Sequence, residues 1–104
     1  MDRILVYDSK GYCVDIFSKS LYKLLNVIKI DINKVASISS NQTIIFIIYD
    51  YEDLYEYFKL TIKHSLIDLV VASDEMIYVL KKAKNIKIFT IEKYAKLLIE
   101  KSKN

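Results

Sequence analysis

Residues 43–50 read TIIFIIYD, a run in which every residue before the final aspartate is β-branched or aromatic. Such residues favour strands, and a run without polar alternation is typical of a central strand that is covered on both faces. The run is much shorter than the roughly 20 apolar residues that a membrane-spanning helix needs. We therefore predict a buried strand here, with Asp50 at its carboxyl end.

The chain on either side of this strand alternates between two patterns. Short apolar or alternating runs predict four further strands, at residues 3–8, 27–32, 66–72 and 86–91. Apolar residues at helical spacing predict four helices, at residues 12–25, 50–65, 73–85 and 92–101. Residues 33–42 fit either a short helix or a loop. This alternation predicts a single three-layer α/β domain over residues 1–104, with a parallel five-stranded sheet between layers of helices.

The composition excludes several kinds of site. Cys13 and His64 are the only cysteine and the only histidine, which excludes an intrachain disulfide and metal clusters of the Cys/His type. Gly11 is the only glycine, so the chain lacks the glycine-rich phosphate loops of nucleotide-binding proteins. The apolar run before Asp8 is too short for a signal peptide, and we expect a cytoplasmic protein that does not enter a membrane.

The charge of the chain is unevenly distributed along the sequence. The net charge is +3, but residues 81–104 contain eight lysines and two glutamates, whereas residues 1–80 carry an acidic excess. A basic end is either a solvated helix surface or a binding surface for an acidic partner. Arg3 is the only arginine. Proteins that recognise nucleic acids rely on the arginine guanidinium group, so we do not expect this chain to bind nucleic acid.

Polar residues stand at the ends of three predicted strands: Asp8, Asp50 and Ser73. In an open parallel sheet, ligands and chemistry gather at the carboxyl ends of the strands. Two carboxylates and a hydroxyl at this edge suggest a cation or phosphoryl site. Each of the three residues is equally suited to cap a turn or the helix that follows its strand. Both interpretations are open at this point.

In this arrangement the chain resembles the receiver domain of bacterial two-component response regulators. Asp50 matches the phosphoacceptor aspartate at the end of the third strand, and Ser73 matches the Ser/Thr that follows the fourth. Asp8 matches one of the two acidic residues that hold Mg²⁺ in the family, while Ser9 replaces the other. The alternation and right-handed crossovers together predict the flavodoxin-like strand order 2-1-3-4-5.

The chain departs from the family where the family neutralises the phosphoryl group. The family's lysine at the end of the fifth strand is missing, and residues 89–91 read FTI instead. Glu52 and Asp53, which would repel an incoming phosphate, follow the acceptor position. The resemblance thus implies a non-catalytic signalling or protein-interaction module, a pseudo-receiver, that is not an enzyme and needs no cofactor. The alternative is an active phosphoacceptor in which Asp8 and Asp50 hold Mg²⁺ and Ser73 is the switch hydroxyl.

Tyrosine is abundant, and five of its nine residues stand near the ends of two strands: Tyr7, Tyr49, Tyr51, Tyr55 and Tyr57. A ring of tyrosines around a cleft suits stacking on a flat ligand, which makes a small-ligand binder a third hypothesis. We expect the Tyr55 side chain to point outward and that of Tyr57 to point inward with Phe58.

The resemblance also implies a partner surface, because receiver domains often pair through the fourth helix, fifth strand and fifth helix. The residues that we assign to it are Met76, Ile77, Tyr78, Lys81, Lys82, Lys87 and Tyr94. Its lysines would repel each other across a symmetric contact and favour an acidic partner, including the Asp50–Glu56 region of another copy. We therefore expect a monomer or a weak homodimer.

Overall fold

The strand predicted at the centre of the sheet is β3 (Ile44–Ile48), and all five of its residues are buried. The computed structural model describes residues 4–12, 27–29, 43–62 and 67–102. In it, β3 pairs in parallel with β1 (Ile4–Asp8) on one side and with β4 (Ile67–Val71) on the other. The prediction of a central strand covered on both faces is confirmed.

The outer strands extend the same parallel sheet. β5 (Ile88–Thr90) pairs with β4, and the three residues of β2 (Val27–Lys29) pair with β1. The registers place Phe46 opposite Tyr7 and Leu69, and Val71 opposite Thr90. The predicted parallel α/β architecture is thereby confirmed. The helix predicted at residues 12–25 and the ambiguous residues 33–42 lie outside the described residues, apart from Tyr12.

Among the described residues, three helices follow strands of the sheet: α1 (Tyr51–Thr61), α2 (Asp74–Lys81) and α3 (Ile91–Ser102). α1 and α2 pack on one face of the sheet, where Tyr57, Leu60, Met76 and Leu80 join a buried cluster with alternate residues of β3 and β4. α3 packs on the other face through Tyr94 and Leu98. The described helices and the sheet therefore form three layers. None of the described helices is both long and apolar enough to cross a bilayer.

The inward face of α1 differs from the predicted one. Tyr57 is buried and Tyr55 is exposed, as predicted, but Phe58 is 48% exposed and points away from the core. Successive helical residues are rotated by about 100°, so Phe58 cannot share the orientation of its neighbour Tyr57. Asp53 and Leu60 complete the buried face instead.

The prediction of a partner surface is wrong for two of the residues assigned to it. Met76 is 0% exposed and Tyr94 is 1% exposed, because each occupies the face of its helix that packs on the sheet. Neither can form the apolar centre of a contact with another protein. Tyr78, Lys81, Lys82 and Lys87 are exposed and Ile77 is half-buried, so the rest of the set lies at the surface as expected.

The buried Tyr94 hydroxyl donates a hydrogen bond of 2.7 Å to Asp68 Oδ2. Burial, together with this bond, raises the pKa of Tyr94 above the usual value of about 10. A group whose pKa is raised on folding stabilises the fold fully below its unfolded pKa, and this stability is lost as the pH rises above it.

We expect Tyr94→Phe to lower the free energy of unfolding by about 1–2 kcal/mol at pH 7, through loss of the bond to Asp68. The difference between variant and wild type should then shrink by about 1.4 kcal/mol for each pH unit above about 10, because only the wild type has this tyrosine to ionise on unfolding. Urea denaturation between pH 7 and 11 measures both effects. A difference that stays constant over this range would contradict the assignment.

Candidate functional site

A surface cleft of about 590 Å³ opens at the carboxyl edge of the sheet, between the loop after β1 and the first turns of α1. Its walls carry four carboxylates, one lysine, three tyrosines and a serine: Asp50, Glu52, Asp53, Glu56, Lys10, Tyr7, Tyr51, Tyr55 and Ser9. Of the three polar residues predicted to meet at this edge, Asp50 lines the cleft, and Asp8 and Ser73 do not. The charge of the cleft is predominantly acidic, which disfavours phosphate and other anions.

Asp50 is held at both carboxylate oxygens. It is the N-cap of α1: its backbone is extended, and its Oδ1 accepts a hydrogen bond of 3.1 Å from the Asp53 backbone N–H. Its Oδ2 lies 3.2 Å from the Lys10 ammonium nitrogen. The bond from the Asp53 N–H, assisted by Lys10, lowers the pKa of Asp50, and Asp50 raises the pKa of Lys10. Asp50 is therefore an ionised cap at neutral pH.

Asp53 completes the start of α1 from inside the protein. Its carboxylate is 3% exposed, and its Oδ2 accepts a hydrogen bond of 2.9 Å from the Tyr49 backbone N–H. Asp50 thus binds the backbone of Asp53, while Asp53 binds the backbone just before Asp50, an arrangement similar to a capping box. Asp53 therefore stabilises the first turn of α1, as an acidic residue three positions after an N-cap is expected to do.

Asp8 and Ser73 have local functions as well, and neither lies on the walls of the cleft. Asp8 Oδ1 accepts a hydrogen bond of 3.1 Å from the Gly11 N–H, closing a turn in which Gly11 has a φ of 76° that favours glycine. Ser73 is the N-cap of α2, and its Oγ accepts a bond of 3.2 Å from the Met76 N–H. The capping interpretation is confirmed for Asp8, Asp50 and Ser73.

The two carboxylates to which the resemblance assigns Mg²⁺, Asp8 and Asp50, are engaged by other groups of the protein. Mg²⁺ requires an octahedral shell of oxygens with at least one carboxylate open to it. Asp50 Oδ1 and Oδ2 are engaged by the Asp53 N–H and by Lys10, and Asp8 Oδ1 is engaged by the Gly11 N–H. No group of three or more His, Cys, Asp or Glu side chains that could hold a metal occurs among the described residues.

Lys10 is the residue that the sequence analysis missed. It occupies the loop after β1, whereas the resemblance directs attention to the end of β5 for a lysine. There, Thr90 Oγ1 accepts a hydrogen bond of 3.4 Å from the Lys93 N–H at the start of α3. One signal for Lys10 was available: β1 and β3 are adjacent parallel strands, so a lysine two residues past Asp8 lies at the same edge as Asp50.

The five tyrosines predicted to surround one cleft are divided between several environments. Tyr51 and Tyr55 are more than half exposed, and Tyr7, which stacks on Phe46 at a centroid distance of 4.5 Å, is half-buried. These three line the cleft. Tyr49 packs against the opposite face of the sheet, so the prediction was wrong for it, whereas Tyr57 lies in the core with the inward orientation that was expected.

Comparisons of the chain with protein-family models, with curated proteins and with solved structures found no match. The family and function of the chain therefore rest on its own sequence and geometry.

Proposed function

We propose that the chain is a non-catalytic signalling or protein-interaction module, similar to a degenerate receiver domain with a flavodoxin-like sheet of order 2-1-3-4-5. The parallel pairings of β1, β3, β4 and β5 support this assignment. So does the position of Asp50 after the strand that corresponds to the receiver's acceptor strand. The proposed module acts by binding another protein and requires no bound metal.

The observation that carries the proposal is the engagement of both Asp50 oxygens. A carboxylate accepts a phosphoryl group through one oxygen, which must reach phosphorus while cations neutralise the transferred group. Here Oδ1 caps α1 and Oδ2 pairs with Lys10, and phosphorylation would disrupt one of these contacts. Glu52, Asp53 and Glu56 add repulsion from the same walls. The site therefore favours a structural carboxylate over a phosphoacceptor.

Incubation with acetyl phosphate and MgCl₂ tests the proposal. We expect intact-mass spectrometry to show no stable gain of a phosphoryl group, because Asp50 remains bound by the Asp53 N–H and by Lys10. Lys10→Ala frees Oδ2 without removing the cap, so a gain in this variant but not in the wild type would show that the pairing with Lys10 keeps Asp50 unmodified. A stable gain of one phosphoryl group in the wild type that Asp50→Asn abolishes would instead establish the active phosphoacceptor. A receiver domain known to accept phosphoryl groups, treated in parallel, controls for the activity of the acetyl phosphate.

A small-ligand binder is the second candidate, and the cleft itself favours it. Its volume of about 590 Å³ lies within the range of roughly 300–1,000 Å³ for small-molecule sites. The rings of Tyr7, Tyr51 and Tyr55 offer apolar surface beside the carboxylates, which suits a flat or cationic ligand better than an anionic one. A native mass spectrum of the purified protein distinguishes this candidate, because a co-purified ligand would add a discrete mass that Tyr51→Ala reduces.

A further inference from the structure

α1 and its C-cap residue expose a row of four large apolar side chains, which we call the α1 stripe: Tyr51, Tyr55, Phe58 and the C-cap Ile62. Their exposed fractions are 56%, 66%, 48% and 84%. Helical geometry brings these positions to one side of α1, nearly opposite the buried Asp53, Tyr57 and Leu60. An exposed row of this kind is typical of a surface that binds another protein.

The surroundings of the α1 stripe are acidic. Four carboxylates (Asp50, Glu52, Asp53 and Glu56) stand on or beside the first turns of α1, against the two lysines Lys10 and Lys59. Lys59 pairs with Glu56 at 3.1 Å and lies over the Tyr55 ring, and Lys10 pairs with Asp50. The four carboxylates outnumber the two lysines, so the net charge beside the row is negative, and Glu52 is its exposed member.

A second surface has the complementary properties. Between α2 and β5 lies an apolar groove of about 250 Å³, which we call the α2–β5 groove. Its apolar lining comes from Ile77, Leu80, Ile86 and Ile88, and Lys81 and Lys93 stand at its rim. This volume is below the range of roughly 300–1,000 Å³ for small-molecule pockets, so the groove suits individual side chains of a protein partner.

We propose that the α1 stripe of one copy of this chain docks in the α2–β5 groove of another copy. Aromatic and aliphatic side chains of the stripe would cover the apolar groove, while Glu52 and Glu56 would approach Lys81 and Lys93. A symmetric contact through either surface alone would instead bring like charges together. This inference does not depend on whether Asp50 accepts a phosphoryl group.

The contact joins two different surfaces, so it is head to tail. Each copy in a pair retains one unused stripe or groove, and association continues with rising concentration unless the geometry closes a ring. The contact is also weak, because a standard protein interface involves roughly 20–30 residues on each side and the stripe offers four large side chains. Its charged pairs lie at the surface and are screened by salt.

Charge-reversal variants of three exposed residues and the half-buried Glu56 test the inference on the full chain. The stripe variant carries Glu52→Lys and Glu56→Lys, and the groove variant carries Lys81→Glu and Lys93→Glu. In sedimentation velocity at low salt, we expect the mass of the wild type to rise with protein concentration. Each variant alone should associate at least about tenfold more weakly, because like charges then meet at the contact.

Recombining the two variants provides the decisive measurement. An equimolar mixture should associate as the wild type does, because each variant offers a surface complementary to the other. One chain with all four changes should regain self-association for the same reason. Lys84→Glu with Lys96→Glu is the matched control: it alters net charge as the groove variant does, at exposed lysines outside the groove, and should associate like the wild type.

Three results would overturn the inference. The first is a wild type that stays monomeric at about 1 mM in low salt. The second is a groove variant or a stripe variant that associates as the wild type does, which would indicate a symmetric contact. The third is a mixture that fails to regain association although circular dichroism shows both variants folded.

Discussion

Phe46→Ala is expected to lower the free energy of unfolding by about 3–5 kcal/mol, the largest effect that we predict for a single substitution. Phe46 lies in the middle of β3 and is 0% exposed. Its ring stacks on Tyr7 at 4.5 Å and meets Tyr57 edge-on at 5.7 Å. Alanine would remove these contacts and leave a cavity between the sheet and α1. Urea denaturation followed by circular dichroism measures the loss.

Phe58→Ala is the matched control for this substitution, because it removes the same side chain from the outer side of α1. Phe58 is 48% exposed and touches Tyr57 at a centroid distance of 5.6 Å. Its loss should lower the free energy of unfolding by less than about 1 kcal/mol. Equal losses for the two variants would mean that the inward and outward faces of α1 are wrongly assigned.

Phe46→Ala should also affect the cleft. The ring of Phe46 supports Tyr7, and Tyr7 forms one wall of the cleft. A cavity beneath Tyr7 would allow the ring to sink toward the sheet. The cleft therefore depends on the packing of the central strand as well as on its own polar residues. Any ligand or partner bound against Tyr7 should bind Phe46→Ala more weakly, even under conditions in which this variant is folded.

The sequence predicted the central strand because burial on both faces leaves a simple trace, a run of β-branched and aromatic residues without polar alternation. It predicted less about which helical residues face the core. Phe58 and Tyr57 are adjacent and both aromatic, and only the rotation of α1 decides which one is buried. Met76 and Tyr94 were assigned to the surface because the resemblance implied a partner surface on their helices, whereas each occupies the side of its helix that meets the sheet.

The site was predictable in its position but not in its contacts. The edge of a parallel sheet at which Asp50 lies follows from the alternation of strands and helices. Its pairing with Lys10 depends on the path of the loop after β1, and the bond from the Tyr49 N–H to Asp53 depends on the angle at which α1 leaves β3. The pairing with Lys10 is a tertiary contact that no local pattern of residues encodes, whereas the bond to Asp53 spans four residues and belongs to the local capping pattern at the start of α1.

Asp53→Ala is expected to lower the free energy of unfolding by about 2–3 kcal/mol, the second largest effect. The substitution removes a buried carboxylate that accepts a hydrogen bond from the Tyr49 N–H and lies in the first turn of α1. Loss of an acceptor for a buried donor costs about 1–3 kcal/mol, and an acidic residue in the first turn contributes about 0.3–1 kcal/mol more.

Thermal and urea denaturation measure the change, and Glu52→Ala, which alters an exposed acid in the same turn, should change stability by less than about 1 kcal/mol. A loss as large for Glu52→Ala would show that charge alone, and not the bond to Tyr49, stabilises the turn.

Asp53→Ala also separates two reasons for the expected inertness of Asp50. The backbone N–H of residue 53 remains in the variant, so Asp50 Oδ1 stays capped and Oδ2 stays paired with Lys10. The two contacts of the Asp50 carboxylate are kept, while the negative charge beside it is reduced. If occupation of the two oxygens is what prevents phosphorylation, the variant should remain unmodified by acetyl phosphate and Mg²⁺ as the wild type does. Modification of the variant but not of the wild type, at a site lost in the double variant with Asp50→Asn, would assign the block to repulsion from Asp53 instead.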